Sequence, residues 1–120
     1  MPGRASVLQS SVAMGESGPV MVLSGEADAH AAAQLRELLV AQLFRGQRRL
    51  VIDVAGLRHI DSESVRVLVV AAKMLRERHG ELVLLHPQPT VARMLELMGA
   101  DQAITMSEAP GTVTAPMRPR

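Results

Sequence analysis

The hydrophobic pattern changes period several times along the chain, and this alternation limits the possible folds more than any other feature. Val20 to Ser24 is a short apolar run of strand character. From Ala31 the period lengthens: Leu35, Leu38, Leu39 and Leu43 fall on one face of a helix that Gly46 ends. Leu50 to Val54 returns to strand, interrupted only by Asp53. A helix beginning near Ser62 then carries Val65, Leu68, Val69, Ala72 and Leu75 on one face, with Gly80 as its stop. Leu82 to Leu85 has the continuous apolar character of a buried strand. Pro89 suits a first helical position and opens the stripe Val91, Met94, Leu95 and Met98, which Gly99 closes. Upstream, Val7 to Val12 is a weaker strand followed by a turn from Gly15 to Gly18, and a short last strand is expected around Ile104.

Strands that alternate with helices call for a mostly parallel sheet, and the opening hairpin makes that sheet mixed. The expected fold is a single α/β domain of order β-β-α-β-α-β-α, with a short final β. At 120 residues there is room for one core and not for two domains. Met1 to Arg4 and Ser107 to Arg120 are rich in Pro, Gly, Ser and Thr without periodicity. They are expected as mobile ends, 1–4 and 107–120, around a domain spanning 5–106.

Composition removes several functions. Lys and Arg number 13 against 12 Asp and Glu, a net charge of +1 with no basic block, so direct binding of nucleic acid is not expected. Trp and Tyr are absent and Phe44 is the one aromatic residue of this class, which leaves no platform for stacking bases. Without Cys there is no disulfide, thiolate metal site or thiol nucleophile. No apolar stretch reaches membrane-spanning length, and Met1-Pro2-Gly3-Arg4 lacks the apolar region of a signal peptide. A cytoplasmic protein without membrane insertion is expected. His30, His59, His79 and His86 show no metal-ligand spacing, although His59 stands where its charge could tune a neighbouring loop. Gly-rich phosphate loops, nucleophile elbows and paired catalytic carboxylates are missing, so neither an enzyme nor a cofactor is expected. Met74, Met94 and Met98 fall on or beside apolar stripes and are expected as core filler.

Chemistry concentrates in Leu57-Arg58-His59-Ile60-Asp61-Ser62-Glu63-Ser64-Val65. The first turn of a helix has unsatisfied N–H groups and a positive dipole end, so this turn can be a cap or an anion site. As a cap, Asp61 or Ser62 accepts from the backbone, Glu63 gains roughly 0.3–1 kcal/mol from the dipole, and a Glu63/Arg66 pair adds roughly 0.2–0.5 kcal/mol. Gly25-Glu26-Ala27-Asp28 has turn character, with Asp28 placed to cap the helix from Ala31. Asp53 is expected to hold the loop after its strand rather than to catalyse. Leu23 to Asp28 and Val54 to Ser64 both connect a strand to a helix, so they are expected to share one end of the sheet and to form the working surface.

Leu23-Ser24-Gly25-Glu26-Ala27-Asp28, Leu50-Val51-Ile52-Asp53-Val54, the segment around Asp61, and Pro89 through Gly99-Ala100 together resemble the STAS domains of bacterial anti-sigma factor antagonists, over about Val20 to Ile104. In that family the helix-opening segment runs apolar-Asp-Ser, then Ser or Thr, then Gly-Leu. The second hydroxyl residue is phosphorylated by a partner kinase that is also the anti-sigma factor. Ile60, Asp61 and Ser62 keep this pattern; Glu63 stands on the phosphoacceptor position, Ser64 replaces the Gly and Val65 the Leu. A phosphoserine carries about −1.5 to −2 charge, so a carboxylate is a partial and permanent imitation. Ser62 and Ser64, both expected near the exposed turn, are the alternative phosphorylation sites.

The resemblance implies a non-enzymatic regulator of transcription that binds a serine-kinase anti-sigma factor and frees a sigma factor. It places Glu26, Asp28, Asp61, Ser62, Glu63, Ser64 and Arg66 on the partner surface, with the exposed face of the helix that follows. Related STAS domains serve lipid transporters and stress-sensing complexes. The alternative is therefore a constitutive accessory subunit of a transport or stress-signalling assembly, using the same surface without phosphorylation.

Overall fold

The computed structural model describes residues 8–15, 18–28 and 30–107. Along the chain run β1 (Gln9–Gly15), β2 (Gly18–Ala27), α1 (Ala31–Phe44), β3 (Arg49–Ile60), α2 (Ser62–Glu77), β4 (Glu81–Leu85), α3 (Pro89–Leu97), a short 3-10 turn (Ala100–Gln102) and β5 (Thr105–Ser107). The five strands lie in the order β1-β2-β3-β4-β5, with β1 antiparallel to β2 and every later pair parallel. This is the mixed α/β sheet expected from the sequence. Residues 1–4 and the tail beyond Ser107 lie outside the described residues, and Ser107 itself belongs to β5.

Sequential parallel strands joined by right-handed crossovers put all their helices on one face of the sheet. The core follows this arrangement. Met21, Leu23, Leu50, Ile52, Val54, Leu82 and Leu84 from the strands form one cluster with Leu35, Leu39, Val65, Leu68, Leu75, Val91 and Leu95 from the helices. Val51, Val83 and Leu85, one residue out of phase, make a smaller cluster with Val20.

Several boundaries differ from the sequence expectation. β2 continues through Gly25-Glu26-Ala27, and β3 continues from Val54 to Ile60, so the long connection expected between Val54 and Ser64 shrinks to Asp61 between β3 and the start of α2 at Ser62. The pairing of β2 with β3 slips between Val22 and Ser24 and again between Gly25 and Glu26. Such bulges break the two-residue alternation that marks a strand. Gly56 sits at the first slip, where a Cβ would lie 2.9 Å from that of Ser24. Asp53 lies within β3 at the last register position shared with β4, and its carboxylate accepts from the Ala55 N–H at 2.9 Å.

The end of α2 also departs from expectation. His79, not Gly80, takes the left-handed conformation (φ 64°). Gly80 is required instead because a Cβ there would collide with the Arg48 carbonyl. Met94 packs partly buried against the core, but Met74 and Met98 are 39% and 37% exposed and are not core filler.

Candidate partner-binding site

Both strand-to-helix connections open at the carboxyl ends of β2 and β3, because the two strands are parallel with Ala27 opposite Ile60. Asp61, directly after β3, donates its N–H to the Ala27 carbonyl at 2.9 Å. Asp61 is also the N-cap of α2: its extended backbone (φ −97°, ψ 174°) turns the carboxylate back to accept from the Ser64 N–H at 2.9 Å. Asp28 works from further back. Its carboxylate accepts from the N–H groups of His30 and Ala31, while the N-cap of α1 is His30, whose side chain makes no cap bond.

Ser64 corrects an expectation. It is fully buried, not on the exposed turn, and its hydroxyl is directed at the carbonyls of Ala27 (3.3 Å) and Asp28 (3.5 Å). The first turn of α2 therefore presents Ser62 and Glu63 to solvent and keeps Ser64 inward. Glu63 pairs with Arg66 at 3.4 Å, as its spacing predicts, with both side chains more than half exposed.

Sequence reasoning missed Arg58, Gln88 and Thr90. Arg58 reaches Glu26 at 3.8 Å, its carbonyl accepts from the Thr90 hydroxyl at 3.2 Å, and the Gln88 amide donates to the Ala55 carbonyl at 2.7 Å. These bonds fasten the start of α3 to the irregular half of β3. The polar pair flanking Pro89 was the available signal, since residues around a helix start commonly bond backbone groups. His59 is exposed and stands opposite Glu26 in the register.

The result is a polar end of the sheet carrying Glu26, Asp28, Asp61 and Glu63 with Arg58 and Arg66. Two of the carboxylates face guanidinium groups, and the other two hold backbone N–H groups. Among the described residues no group of three or more His, Cys, Asp or Glu is arranged to hold a metal, and no helix is long and apolar enough to cross a membrane.

A family model described as "Mlab, STAS domain" matches residues 10–108. The chain belongs to the STAS domain family. BtrV of Bordetella bronchiseptica, whose name assigns it provisionally as an anti-sigma factor antagonist, is 39% identical over 80 residues, covering 67% of this chain and 69% of BtrV. An anti-sigma-B factor antagonist of Listeria monocytogenes is 32% identical over 89 residues, covering 74% of this chain and 78% of the relative. The crystal structure of an anti-sigma factor antagonist from Mycobacterium paratuberculosis superposes with a TM-score of 0.76 at 20% identity, covering 87% of this chain and 88% of the other. That structure shares the STAS fold seen here, with its sheet carrying helices.

Proposed function

We propose that this STAS domain is a non-enzymatic anti-sigma factor antagonist that binds a kinase-type anti-sigma factor, and thereby frees a sigma factor, through the polar sheet end. The observation that carries it is the position of Glu63. It is exposed on the first turn of α2, at the positive end of the helix dipole and on the turn that Asp61 and Ser64 fasten to the Ala27–Asp28 corner. The partner surface comprises Glu26, Asp28, Asp61, Ser62, Glu63 and Arg66. Ser64 contributes from beneath by fixing the turn and has no exposed surface of its own. The names carried by the relatives support this assignment.

One feature favours the second function, a constitutive accessory subunit of a transport or stress-signalling assembly. Position 63 has no hydroxyl, and its carboxylate pairs with Arg66, so the charge at this position cannot be switched by phosphorylation. Affinity capture from native cell extract on the immobilised full chain separates the two. Recovery of a serine-kinase anti-sigma factor supports the first function, and recovery of a transporter or stress complex without such a kinase supports the second.

A further inference from the structure

Among the described residues β1 forms one edge of the sheet, and all seven of its residues are exposed. It pairs with β2 in unbroken register from Gln9 to Gly15, so no bulge turns it away from a neighbour. Natural sheet edges are usually blunted by charge, Pro, a bulge or short length. At the opposite edge, β5 has three described residues. β1 has none of these protections: its sequence Gln-Ser-Ser-Val-Ala-Met-Gly carries no charge and no Pro, and Val12 and Met14 are 64% and 78% exposed.

The register shows which backbone groups face outward. Met14 stands opposite Pro19, which has no N–H to give, so this is a non-hydrogen-bonded pair of the ladder. Alternation along an antiparallel ladder then turns the N–H and C=O groups of Met14, Val12 and Ser10 away from β2, toward the free edge.

We propose that β1 is the contact through which two copies of this chain associate, antiparallel and edge to edge, with the two-fold axis at Val12. This pairing sets Val12 against Val12 of the second copy and Ser10 against its Met14, and the reverse. Each pair exchanges two backbone bonds, about six in all. The interface is isologous, because an antiparallel strand pair centred on one residue is self-complementary. A second copy suits this edge because a strand without charge has nothing to repel its own image. A single pair of strands falls below the roughly 1,200 Å² of stable complexes, so association is expected to be weak and dependent on concentration.

Sedimentation of the full chain over a concentration series tests the proposal. The expected result is a rise from monomer to dimer mass. Val12→Lys and Val12→Glu, each facing its own image, should weaken association at least about tenfold, and an equimolar mixture of the two should restore it. A chain that stays monomeric to about 1 mM overturns the proposal, as does a dimer that Val12→Lys leaves unchanged. Should either variant fail to fold, amide exchange on the natural chain decides. The amides of Ser10, Val12 and Met14 should gain protection as concentration rises, with those of Ser11 and Ala13 protected throughout. No change at the first three overturns the pairing.

Discussion

The Ser64 hydroxyl lies 3.3 Å from the Ala27 carbonyl, across 37 residues of sequence and with both groups out of solvent. The same carbonyl accepts the Asp61 N–H. One backbone oxygen at the end of β2 therefore takes both the entry to α2 and the inside of its first turn, and the two halves of the proposed partner surface are held as a unit. A buried hydroxyl bond is worth about 0.5–1.5 kcal/mol net. Ser64→Ala is expected to lower stability by about that much, a drop in Tm of a few degrees. Ser64→Gly should cost more, because Gly within a helix adds about 1 kcal/mol. Thermal melts of the two variants check the order; equal stability of Ser64→Ala and the natural chain would show that the hydroxyl contributes nothing.

The cap and the charge of the same turn should separate by size. Asp61→Ala removes the acceptor for the Ser64 N–H and is expected to cost about 0.5–2 kcal/mol. Glu63→Ala removes an exposed carboxylate near the dipole and should cost less, roughly 0.3–1 kcal/mol. Denaturant titration of both measures the difference. A larger loss at Glu63 would mean that this residue supports the fold, contrary to a role on the partner surface.

Alternating strands and helices were legible in the sequence because the apolar period itself changes, and every helix appears where the stripe of its leucines and valines placed it. The second half of β3 was not. Leu57 and Ile60 are both buried but three residues apart, and Ala55-Gly56 between strand and cap has the composition of a turn. Only pairing with β2, bulges included, makes that stretch a strand. The site shows the same division. Asp61 and the Glu63/Arg66 pair follow from local spacing, whereas the burial of Ser64 depends on carbonyls at Ala27 and Asp28 that the fold brings in from another strand. Gly80 was recognised as special for the wrong reason: the close approach of the Arg48 carbonyl is a tertiary fact.

That close approach carries its own expectation. Gly80→Ala forces a methyl group into the backbone of Arg48 just where Glu81 donates its N–H to the Arg48 carbonyl at the start of β4. Backbone has little freedom to yield, so a loss at or above the roughly 1–3 kcal/mol of ordinary overpacking is expected. Gly46→Ala is the control, since Gly46 has open space around its Cβ position and only its positive φ (78°) to strain. Melts in which Gly46→Ala is the more damaging would contradict the contact.

Phosphorylation distinguishes the hydroxyls of the turn by access. With a cognate kinase-type anti-sigma factor and labelled ATP, the natural chain is expected to take no label at position 63 and none at buried Ser64. Ser62 is exposed and is the hydroxyl of this turn that a kinase can reach. Glu63→Ser should create an acceptor on the exposed turn, and site mapping by mass spectrometry reads all three positions. Label at Ser64 in the natural chain would require the first turn of α2 to open and would overturn the clamp.

The partner surface makes the last prediction. Asp28, Glu63 and Arg66 sit at the carboxyl end of the parallel strands, while Arg48 and Arg49 precede or begin β3 at the other end, where Arg49 pairs with Glu81. Charge changes at the first three should alter affinity for one and the same partner by roughly two- to fivefold each, the range of exposed charges worth up to about 1 kcal/mol. Changes at Arg48 should leave it unaltered. The sign at position 63 carries the mechanism. If the Glu63 carboxylate imitates a phosphate whose charge repels a kinase-type anti-sigma factor, Glu63→Ser removes that repulsion and tightens binding. If it instead anchors a constitutive partner, the same substitution removes an attraction and weakens binding. Titration calorimetry with the captured partner reads that sign, and a partner indifferent to Asp28, Glu63 and Arg66 alike would sink the shared surface.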